Sequence, residues 1–210
     1  MILIGQYDSP FVRRVAVALR LYGMAYEHRP WSVFGDADRL AAFNPLRRVP
    51  TLVADDGEVL VESGAILDWL DELAGPERAL IAASGPERRA ALNVCGLASG
   101  LADKAISLVY ERVIHDRATP AWVDRCRAQI AAVLDVLEAD RAGRGAWWFG
   151  ERIGHADIAV ACVLRFVGEA HPDVFDAVRW PALAAHAADF EALPDVQAVV
   201  QPFFVSPPDT

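Results

Sequence analysis

Residues 49–66 read VPTLVADDGEVLVESGAI, and this stretch contains the clearest structural signal in the chain. Its two apolar runs, 51–54 and 58–61, lie on either side of a turn at Asp55-Asp56-Gly57. Apolar runs joined by a turn that contains Asp-Gly are typical of a β-hairpin. The sequence therefore predicts two adjacent antiparallel strands here, the first of which starts directly after Pro50.

Strand and helix patterns alternate around this hairpin. The predicted elements are a buried strand at 2–5, a helix that opens at Ser9-Pro10, a strand at 26–31, a helix at 36–43 and a helix capped by Ser63 that ends near Ala74. Serine is a favoured N-cap, and proline fits the first helical turn because it has no N–H to leave unpaired. Residues 1–75 are therefore predicted to fold in the order βαβαββα, as a small sheet covered by helices.

Beyond Gly75 the chain carries only helical patterns. Residues 76–86 lie between two Gly-Pro breaks and are predicted to be a linker. Residues 87–210 are predicted to form a second domain, with helices at 87–115, 121–142, 155–169, 181–191 and 194–200 and a loose tail from Val205. The predicted fold class is an α/β domain followed by an all-α helical bundle.

Composition and charge exclude several classes of function. The net charge is −9 and the basic residues are scattered, whereas a nucleic-acid-binding protein needs a basic face. No apolar run approaches the roughly 20 residues that span a membrane. The first residues, MILIGQYDSPF, lack the basic segment of a signal peptide. We therefore expect a cytoplasmic protein that binds neither nucleic acid nor a membrane.

The three cysteines and five histidines do not form a recognisable metal site. Cys95, Cys126 and Cys162 are far apart, and no Cys-x-x-Cys pair is present. Free cysteines are among the most buried residues, so we expect three reduced thiols in the core. The histidines are expected to be structural or surface residues, and no metal is predicted.

Three short motifs are candidate binding positions, and each also has an ordinary structural explanation. A cis peptide before Pro50 would expose the backbone of Val49 for pairing with a peptide-like ligand, although trans is the commoner form. Glu62 and Ser63 could hold the amine and carboxylate of an amino acid at a helix N-terminus, or simply begin that helix. Ser9 is either a plain helix cap or a donor to an anion.

Taken together, the motifs resemble the N-terminal domain of glutathione transferases, in their bacterial serine-type members. The N-terminal residues that carry the resemblance are Ser9 to Val15, Phe43-Asn44-Pro45-Leu46, Val49-Pro50-Thr51-Leu52 and Glu62 to Ile66. The C-terminal half adds signatures similar to the helical domain of the same family: Gly100 to Asp103, Val109 to Arg112, and Gly150 through Ala156-Asp157-Ile158-Ala159. The resemblance covers essentially the whole chain.

The resemblance implies a thioredoxin-like first domain and a role for each motif in holding glutathione. Val49 would pair its backbone with the cysteinyl part of glutathione, next to a cis Pro50. Glu62 and Ser63 would hold the γ-glutamyl end. Ser9 would donate a hydrogen bond to the sulfur, and would not itself be a nucleophile.

The same resemblance names further contacts and one competing residue. Arg48, and with a weaker case Arg39, would reach the glycyl carboxylate of glutathione. Asp103 would reach the γ-glutamyl amine in a neighbouring subunit, which implies a homodimer. Tyr7 is an alternative activator of the thiol, since other classes of the family use a tyrosine at the end of the first strand.

The electrophilic substrate is expected between the two domains, in a pocket walled by Phe11, Phe34, Ile106 and Tyr110. These four side chains are equally compatible with simple core packing. Gly154 departs from the family pattern, which has serine or threonine three residues before Asp157. Glycine is tolerated at a helix N-cap at a cost of only a few tenths of a kcal/mol, so we expect a weaker cap there and an unchanged fold.

The implied activity is a glutathione S-transferase that joins the glutathione thiolate to an electrophilic small molecule, as in detoxification. Because position 9 is serine and not cysteine, disulfide exchange is not expected. Since a fold does not define its chemistry, a glutathione-dependent isomerase, peroxidase or dehalogenase is an alternative on the same site. A transferase-like module that binds a protein partner without catalysis is a second alternative.

Overall fold

The computed structural model describes residues 1–114 and 119–205. Its first part consists of β1 (Ile2–Ile4), α1 (Pro10–Leu21), β2 (Glu27–Arg29), α2 (Ala37–Ala41), β3 (Thr51–Val53), β4 (Val59–Val61) and α3 (Ser63–Ala74). The four strands form one sheet in the order β2-β1-β3-β4. β1 is parallel to β2 and antiparallel to β3, and β3 and β4 form the predicted hairpin. The predicted order of elements is confirmed.

The second part is helical in the described residues. It consists of α4 (Gly85–Val113), α5 (Pro120–Arg141), α6 (His155–Ala170), α7 (Pro181–Glu191) and α8 (Pro194–Gln197). α4 begins two residues before its predicted start, and α8 ends three residues before its predicted end. The predicted helix end at His115 and the tail at 206–210 lie outside the described residues. We keep 1–75, 76–86 and 87–210 as a proposal for the two domains and their linker.

α1 is buried between the sheet and the helical part of the chain. Val12, Val15 and Leu19 on this helix are fully buried. They share one apolar core with Leu3 and Leu52 of the sheet, and the same core continues into α6 through residues 158, 161 and 162. Because one core crosses both parts, the start of α1 has a defined position relative to the helical part.

A charged clamp reinforces this arrangement. The side chain of Arg13, 2% exposed, donates from both terminal nitrogens to the carboxylate of Glu191 on α7, at 2.5 and 2.8 Å. Its Nε donates to the carbonyl of Val199 at 3.2 Å, and Arg165 on α6 donates to the same glutamate at 3.1 Å. Buried charges require such complete pairing. The clamp therefore ties α1, α6 and α7 together.

α4 has the length and hydropathy of a membrane-spanning helix, with 29 residues and a mean hydropathy of 1.3 in its most apolar window. Its buried residues, among them Ala98, Leu101 and Ala105, belong to the core that α4 forms with α5 and α6. Packing within the described part of the chain buries 39% of that window.

All three cysteines are free thiols, with Cys126 and Cys162 buried and Cys95 partly buried. Burial raises the pKa of Cys95 to about 11 and that of Cys162 to about 12, so neither forms a thiolate near neutral pH. Within residues 1–114 and 119–205 no group of three or more metal-ligating side chains is found. Burial raises the pKa of Cys126 as well, so burial disfavours the thiolate at all three cysteines.

We predict that His186 makes the fold sensitive to acid. Its side chain is fully buried, and burial lowers its pKa from 6.5 to about 4. Between these two values the unfolded chain takes up a proton that the folded chain does not, so the free energy of unfolding falls as the pH falls, by up to about 1.4 kcal/mol per pH unit. Urea unfolding across this pH range measures the slope.

The matched variant is His186→Phe, which keeps an aromatic ring beside Trp147 and Trp148 and cannot titrate. Its free energy of unfolding is expected to depend less on pH over the same range. Equal slopes for the two proteins would show that His186 does not cause the acid sensitivity.

Candidate functional site

A cleft of about 720 Å³ lies between the sheet part of the chain and α4. It is lined by many of the predicted site residues, namely Ser9, Phe11, Phe34, Arg48, Val49, Asp103, Ile106 and Tyr110. Tyr7, Arg39, Pro50, Glu62 and Ser63 are not among the lining residues. The structure thus brings most of the predicted positions together although they are widely separated in sequence.

Ser9 lies in this cleft at the N-terminus of α1. Its side-chain oxygen accepts a hydrogen bond from the backbone N–H of Val12 at 3.4 Å, which makes it the helix N-cap as predicted. Pro10 occupies the first helical position. Because the helix bond uses an acceptor site of the hydroxyl, its hydrogen remains free to donate to a ligand.

The loop before Ser9 packs tightly against Val49. Gly5 has φ +131°, and a β-carbon at this position would lie 2.5 Å from Val12 Cγ2 and 2.8 Å from Val49 Cβ. Only glycine permits this approach. The Val49-Pro50 peptide bond is cis, as the resemblance implied. Gly5 therefore brings the backbone of Val49 close to the loop that carries the Ser9 hydroxyl.

The segment before Val49 is held by a buried amide. Asn44, which is 2% exposed, donates from Nδ2 to the carbonyl of Arg48 at 3.0 Å and to Thr51 Oγ1 at 3.1 Å. The Thr51 hydroxyl donates to the same carbonyl at 3.2 Å. These bonds orient the peptide that precedes Val49.

The prediction that Ser63 caps α3 is wrong. Glu62 occupies the N-cap position with φ 67°, and Ser63 is the first helical residue. The Ser63 hydroxyl instead accepts a hydrogen bond from Arg14 Nη2 at 2.6 Å, and Arg14 Nη1 donates to Ser99 at 3.0 Å. A buried guanidinium needs acceptors, and this need directs the serine side chain toward α1.

The charged side chains near the cleft differ in their accessibility to a ligand. Arg48 lies 3.6 Å from Glu62 and 3.9 Å from Asp103, and all three side chains are more than half exposed. Such pairs are weak and exchange readily for a ligand. Arg39 is 69% exposed and is paired with Asp36 at 3.0 Å. Of the two arginines predicted to bind glutathione, Arg48 and Arg39, only Arg48 lines the cleft.

Tyr7 is bound to its own neighbours outside the cleft lining. Its ring stacks on His28 with 3.8 Å between ring centroids, and its hydroxyl is hydrogen-bonded to that of Tyr26 at 2.7 Å. Burial, reinforced by the bond to Tyr26, raises the pKa of Tyr7 well above its ordinary value. The hydrogen bond to Tyr26 and the raised pKa both reduce the ability of the Tyr7 hydroxyl to donate to a ligand.

The apolar side of the cleft combines packing with pocket formation. Phe34 meets Tyr110 edge-on, with 5.7 Å between ring centroids. Phe11 and Ile106 pack against the helical core and also line the cleft. For Phe11 and Ile106, core packing and pocket formation are therefore compatible, because each side chain presents one surface to the core and another to the cleft.

Two parts of the site were not predicted from the sequence. Residues 203–205 line the cleft, whereas only Val205 had been assigned, to a loose tail, and Phe203 and Phe204 had been assigned to no element. The pair Phe203-Phe204 was the available signal, because two consecutive large aromatic side chains tend to pack against other residues. Arg14 was missed as well, and its signal was the pair Arg13-Arg14 among the apolar residues of α1.

Comparisons with known proteins identify the family. The family model for the N-terminal domain of glutathione S-transferases matches residues 3–78, and the model for their C-terminal domain matches residues 120–189. The chain is 31% identical to a maleylacetoacetate isomerase of Pseudomonas aeruginosa, over 92% of this chain and 96% of the relative. The chain belongs to the glutathione S-transferase family.

Solved structures agree with this assignment. A glutathione S-transferase of Methylobacterium radiotolerans in complex with glutathione sulfonate has a TM-score of 0.91 and 28% identity to this transferase, over 100% of this chain and 98% of the other. A family member from Pseudomonas fluorescens with bound glutathione has a TM-score of 0.84 and 30% identity, over 96% and 99% of the two chains. The predicted family, fold class and enzyme class are confirmed.

We predict that Gly5→Ala destabilises this transferase by about 2 kcal/mol, because the new methyl group overlaps Val12 and Val49 and the backbone angle is strained for alanine. Urea unfolding measures the change. The control is Gly100→Ala in α4, where a β-carbon meets nothing within 4 Å. This control is expected to be at least as stable as the parent, since alanine favours helices. A Gly5→Ala variant of unchanged stability would contradict the close approach.

Proposed function

We propose that Ser9 activates the thiol of glutathione and that the thiolate then attacks an electrophilic carbon held in the apolar part of the cleft. The observation that supports this most directly is the position of the Ser9 hydroxyl. It lies at a helix N-terminus, inside the cleft that also contains Val49 and the half-exposed Arg48. Relatives of similar fold were solved with glutathione or its sulfonate bound.

The proposed pose of glutathione follows the backbone from Val49 to α3. The cysteinyl part pairs with the backbone of Val49, beside the cis Pro50. The γ-glutamyl carboxylate binds at the N-terminus of α3, where Ser63 begins the helix, and Glu62 accepts from the γ-glutamyl amine.

The glycyl carboxylate of glutathione binds Arg48 in this pose. Arg48 and Glu62 form an exposed ion pair at 3.6 Å, and Arg48 would leave this weak pair to reach the glycyl carboxylate at the other end of the ligand. Arg39 is proposed as a second, more distant contact, since its guanidinium lies 6.0 Å from the ring centroid of Trp31, a lining residue of the cleft.

The thiol chemistry requires a modest energy. A free cysteine thiol titrates near pH 8.5, and lowering this pKa by about two units needs roughly 2.7 kcal/mol of selective thiolate stabilisation. A hydrogen bond to a charged acceptor contributes about 1.5–3 kcal/mol, and the N-terminus of α1 adds about 0.3–1 kcal/mol. One hydroxyl at this helix end is therefore sufficient.

In the conjugation step, the sulfur lone pair forms the new bond to carbon and the leaving group departs with its electron pair. The thiol proton has already passed to solvent. Phe11, Phe34, Ile106 and Tyr110 provide the apolar surface for the electrophile. Excluding water there strengthens the Ser9 hydrogen bond to the thiolate.

Ser9 is favoured over Tyr7 as the activating residue. The Tyr7 hydroxyl is already hydrogen-bonded to Tyr26, and its ring is not part of the cleft lining. To bind the sulfur, Tyr7 would have to leave its stack on His28. Ser9 needs no such rearrangement.

We predict that Ser9→Ala raises the pKa of the bound glutathione thiol by about 1–2 units and lowers kcat at neutral pH by about tenfold or more. The reason is the loss of the hydrogen bond that favours the thiolate. The ultraviolet absorbance of the thiolate, titrated against pH in the binary complex, measures the change.

Two control variants accompany this experiment. Ser107→Ala removes another hydroxyl of the cleft, which donates to the carbonyl of Asp103, and is expected to leave the thiol pKa unchanged. Tyr7→Phe tests the competing residue and is also expected to leave it unchanged. If the titration moved in Tyr7→Phe and not in Ser9→Ala, the two assignments would be reversed.

We further propose a cytoplasmic homodimer that acts in detoxification, with no nucleic-acid or membrane partner. Support for the dimer is the exposed carboxylate of Asp103, which is paired with Arg48 only at 3.9 Å and remains accessible to the γ-glutamyl amine in a neighbouring subunit. Light scattering of the purified protein distinguishes a dimer from a monomer.

A glutathione-dependent isomerase is the second candidate. The similarity to a maleylacetoacetate isomerase favours it, and so do the cationic side chains of Arg47, Arg48 and Lys104 along the cleft, which suit an acidic substrate. In this reaction the thiolate adds to a double bond and later leaves, so glutathione is not consumed.

We predict that a panel of substrates assayed side by side shows conjugation of a chloronitrobenzene as the main activity. Dominant turnover of maleylacetoacetate would establish the isomerase, and turnover of cumene hydroperoxide a peroxidase. Halide release from an alkyl halide would indicate a dehalogenase. Failure to bind glutathione-agarose, with no thermal shift by glutathione, would favour a non-catalytic binding module.

A further inference from the structure

Residues 201–205, here called the C-terminal strap, contact the loop that carries Ser9. The side-chain oxygen of Gln201 accepts a hydrogen bond from the backbone N–H of Tyr7 at 3.0 Å, across 194 positions of sequence. The backbone N–H of Phe204 donates to the carboxylate of Asp8 at 3.4 Å. The strap therefore reaches both residues that immediately precede Ser9.

Those two residues are the centre of a tight turn. The backbone N–H of Ser9 donates to the carbonyl of Gln6 at 3.2 Å, which closes a four-residue turn with Tyr7 and Asp8 in the middle. A turn of this kind moves as a unit, since few dihedral angles separate its central peptide from its last residue. Holding the Tyr7 peptide therefore also holds Ser9.

The ladder between β1 and β2 ends before Tyr7, where Gly5 donates to the carbonyl of Arg29 at 2.9 Å. Within residues 1–114 and 119–205, the Tyr7 N–H donates to the side chain of Gln201 and to no strand. An unpaired and partly buried N–H is unfavourable, so this amide oxygen contributes to the preferred position of the turn.

The strap is itself anchored independently of the turn. The N–H of Phe203 donates to Glu169 at 2.7 Å, and its ring meets Phe166 edge-on at 5.3 Å between centroids. On one side the strap lines the cleft, and on the other it lines a cavity of about 350 Å³ with Arg112 and Val113. Phe203 is thus anchored to Phe166 and Glu169 of α6, while Gln201 and Phe204 bind the turn.

We propose that Gln201 is a positioning residue for the Ser9 hydroxyl, acting through the Tyr7 peptide. This inference rests on the proposed function of Ser9. Without the bond from Gln201, the turn at residues 6–9 has more freedom, and the hydroxyl spends less time aligned with the thiolate. Glutathione binding itself depends on Val49, Glu62 and Ser63 and is expected to change little.

Gln201→Leu tests this inference, with Gln197→Leu as the matched control. Gln197 is exposed and donates to the carbonyl of Glu191, away from the turn. For Gln201→Leu we expect the pKa of the bound thiol to rise by about half a unit and kcat to fall about threefold to tenfold, with the KM for glutathione within about twofold of the parent. Gln197→Leu is expected to match the parent in all three.

Gln201→Glu is the rescue variant, because it keeps an acceptor oxygen of the same reach. The added charge is close to Asp8 and is only partly screened by salt, so the readout for this variant is hydrogen exchange at the Tyr7 amide, which is expected to keep the protection that Gln201→Leu loses. A Tyr7 amide that exchanges as fast in Gln201→Glu as in Gln201→Leu would overturn the proposal, since the acceptor oxygen would then not hold the Tyr7 peptide.

Hydrogen exchange at the Tyr7 amide gives a readout that requires no variant. We expect this amide to be protected in the parent protein, and to lose protection in Gln201→Leu. Exchange at the rate of an unpaired amide in the parent would overturn the proposal even if Gln201→Leu does not fold.

The result for Ser9→Ala shows whether the proposed role of Ser9 or only that of Gln201 has failed. An unchanged thiol pKa in Ser9→Ala would remove the proposed function itself. A raised pKa in Ser9→Ala together with parental behaviour of Gln201→Leu would overturn only the role of Gln201.

Discussion

The burial of α1 from Val12 to Leu19 is the constraint on which the rest of the structure depends. This helix is covered on one side by the sheet and on the other by α6, in a single apolar core. A helix buried on both sides has no solvent-exposed face for its polar side chains, and the pair Arg13-Arg14 must find partners inside the protein. Arg13 is satisfied by Glu191 and the carbonyl of Val199, in the helical part of the chain.

The candidate site is arranged around the same helix. Ser9 is the N-cap of α1, and Arg14, one helical turn further along, binds the hydroxyl of Ser63 at the start of α3. Val12 leaves no room for a β-carbon at Gly5, where the preceding loop meets Val49. The residues proposed to bind the sulfur, the cysteinyl backbone and the γ-glutamyl end of glutathione therefore all contact α1 or the loop before it. One rigid helix thus fixes their relative positions.

Gly154 illustrates how such packing explains a departure from the family pattern. A β-carbon at this position would lie 2.9 Å from the carbonyl of Leu80, which accepts a hydrogen bond from His155. The N-terminus of α6 is still held by a side chain, because the Asp157 carboxylate accepts from the N–H of Gly154 at 2.9 Å and from that of Trp148 at 2.8 Å. Glycine at position 154 provides no capping side chain, but it allows close contact between α6 and the segment after α3.

The sequence by itself determined the order of elements, the hairpin at residues 51–61 and the N-cap at Ser9, because periodicity, turn residues and caps are local properties of the chain. The family was inferred separately, from the resemblance of short motifs such as Val49-Pro50 and Glu62-Ser63 to those of known glutathione transferases. Only the tertiary structure decided the partners of buried charges and of irregular backbone. The hydroxyl of Ser63 binds Arg14, 49 positions earlier, and the N–H of Tyr7 binds Gln201, 194 positions later. No local pattern encodes such pairs, since they form only when the core brings distant polar groups together and burial requires each of them to be satisfied.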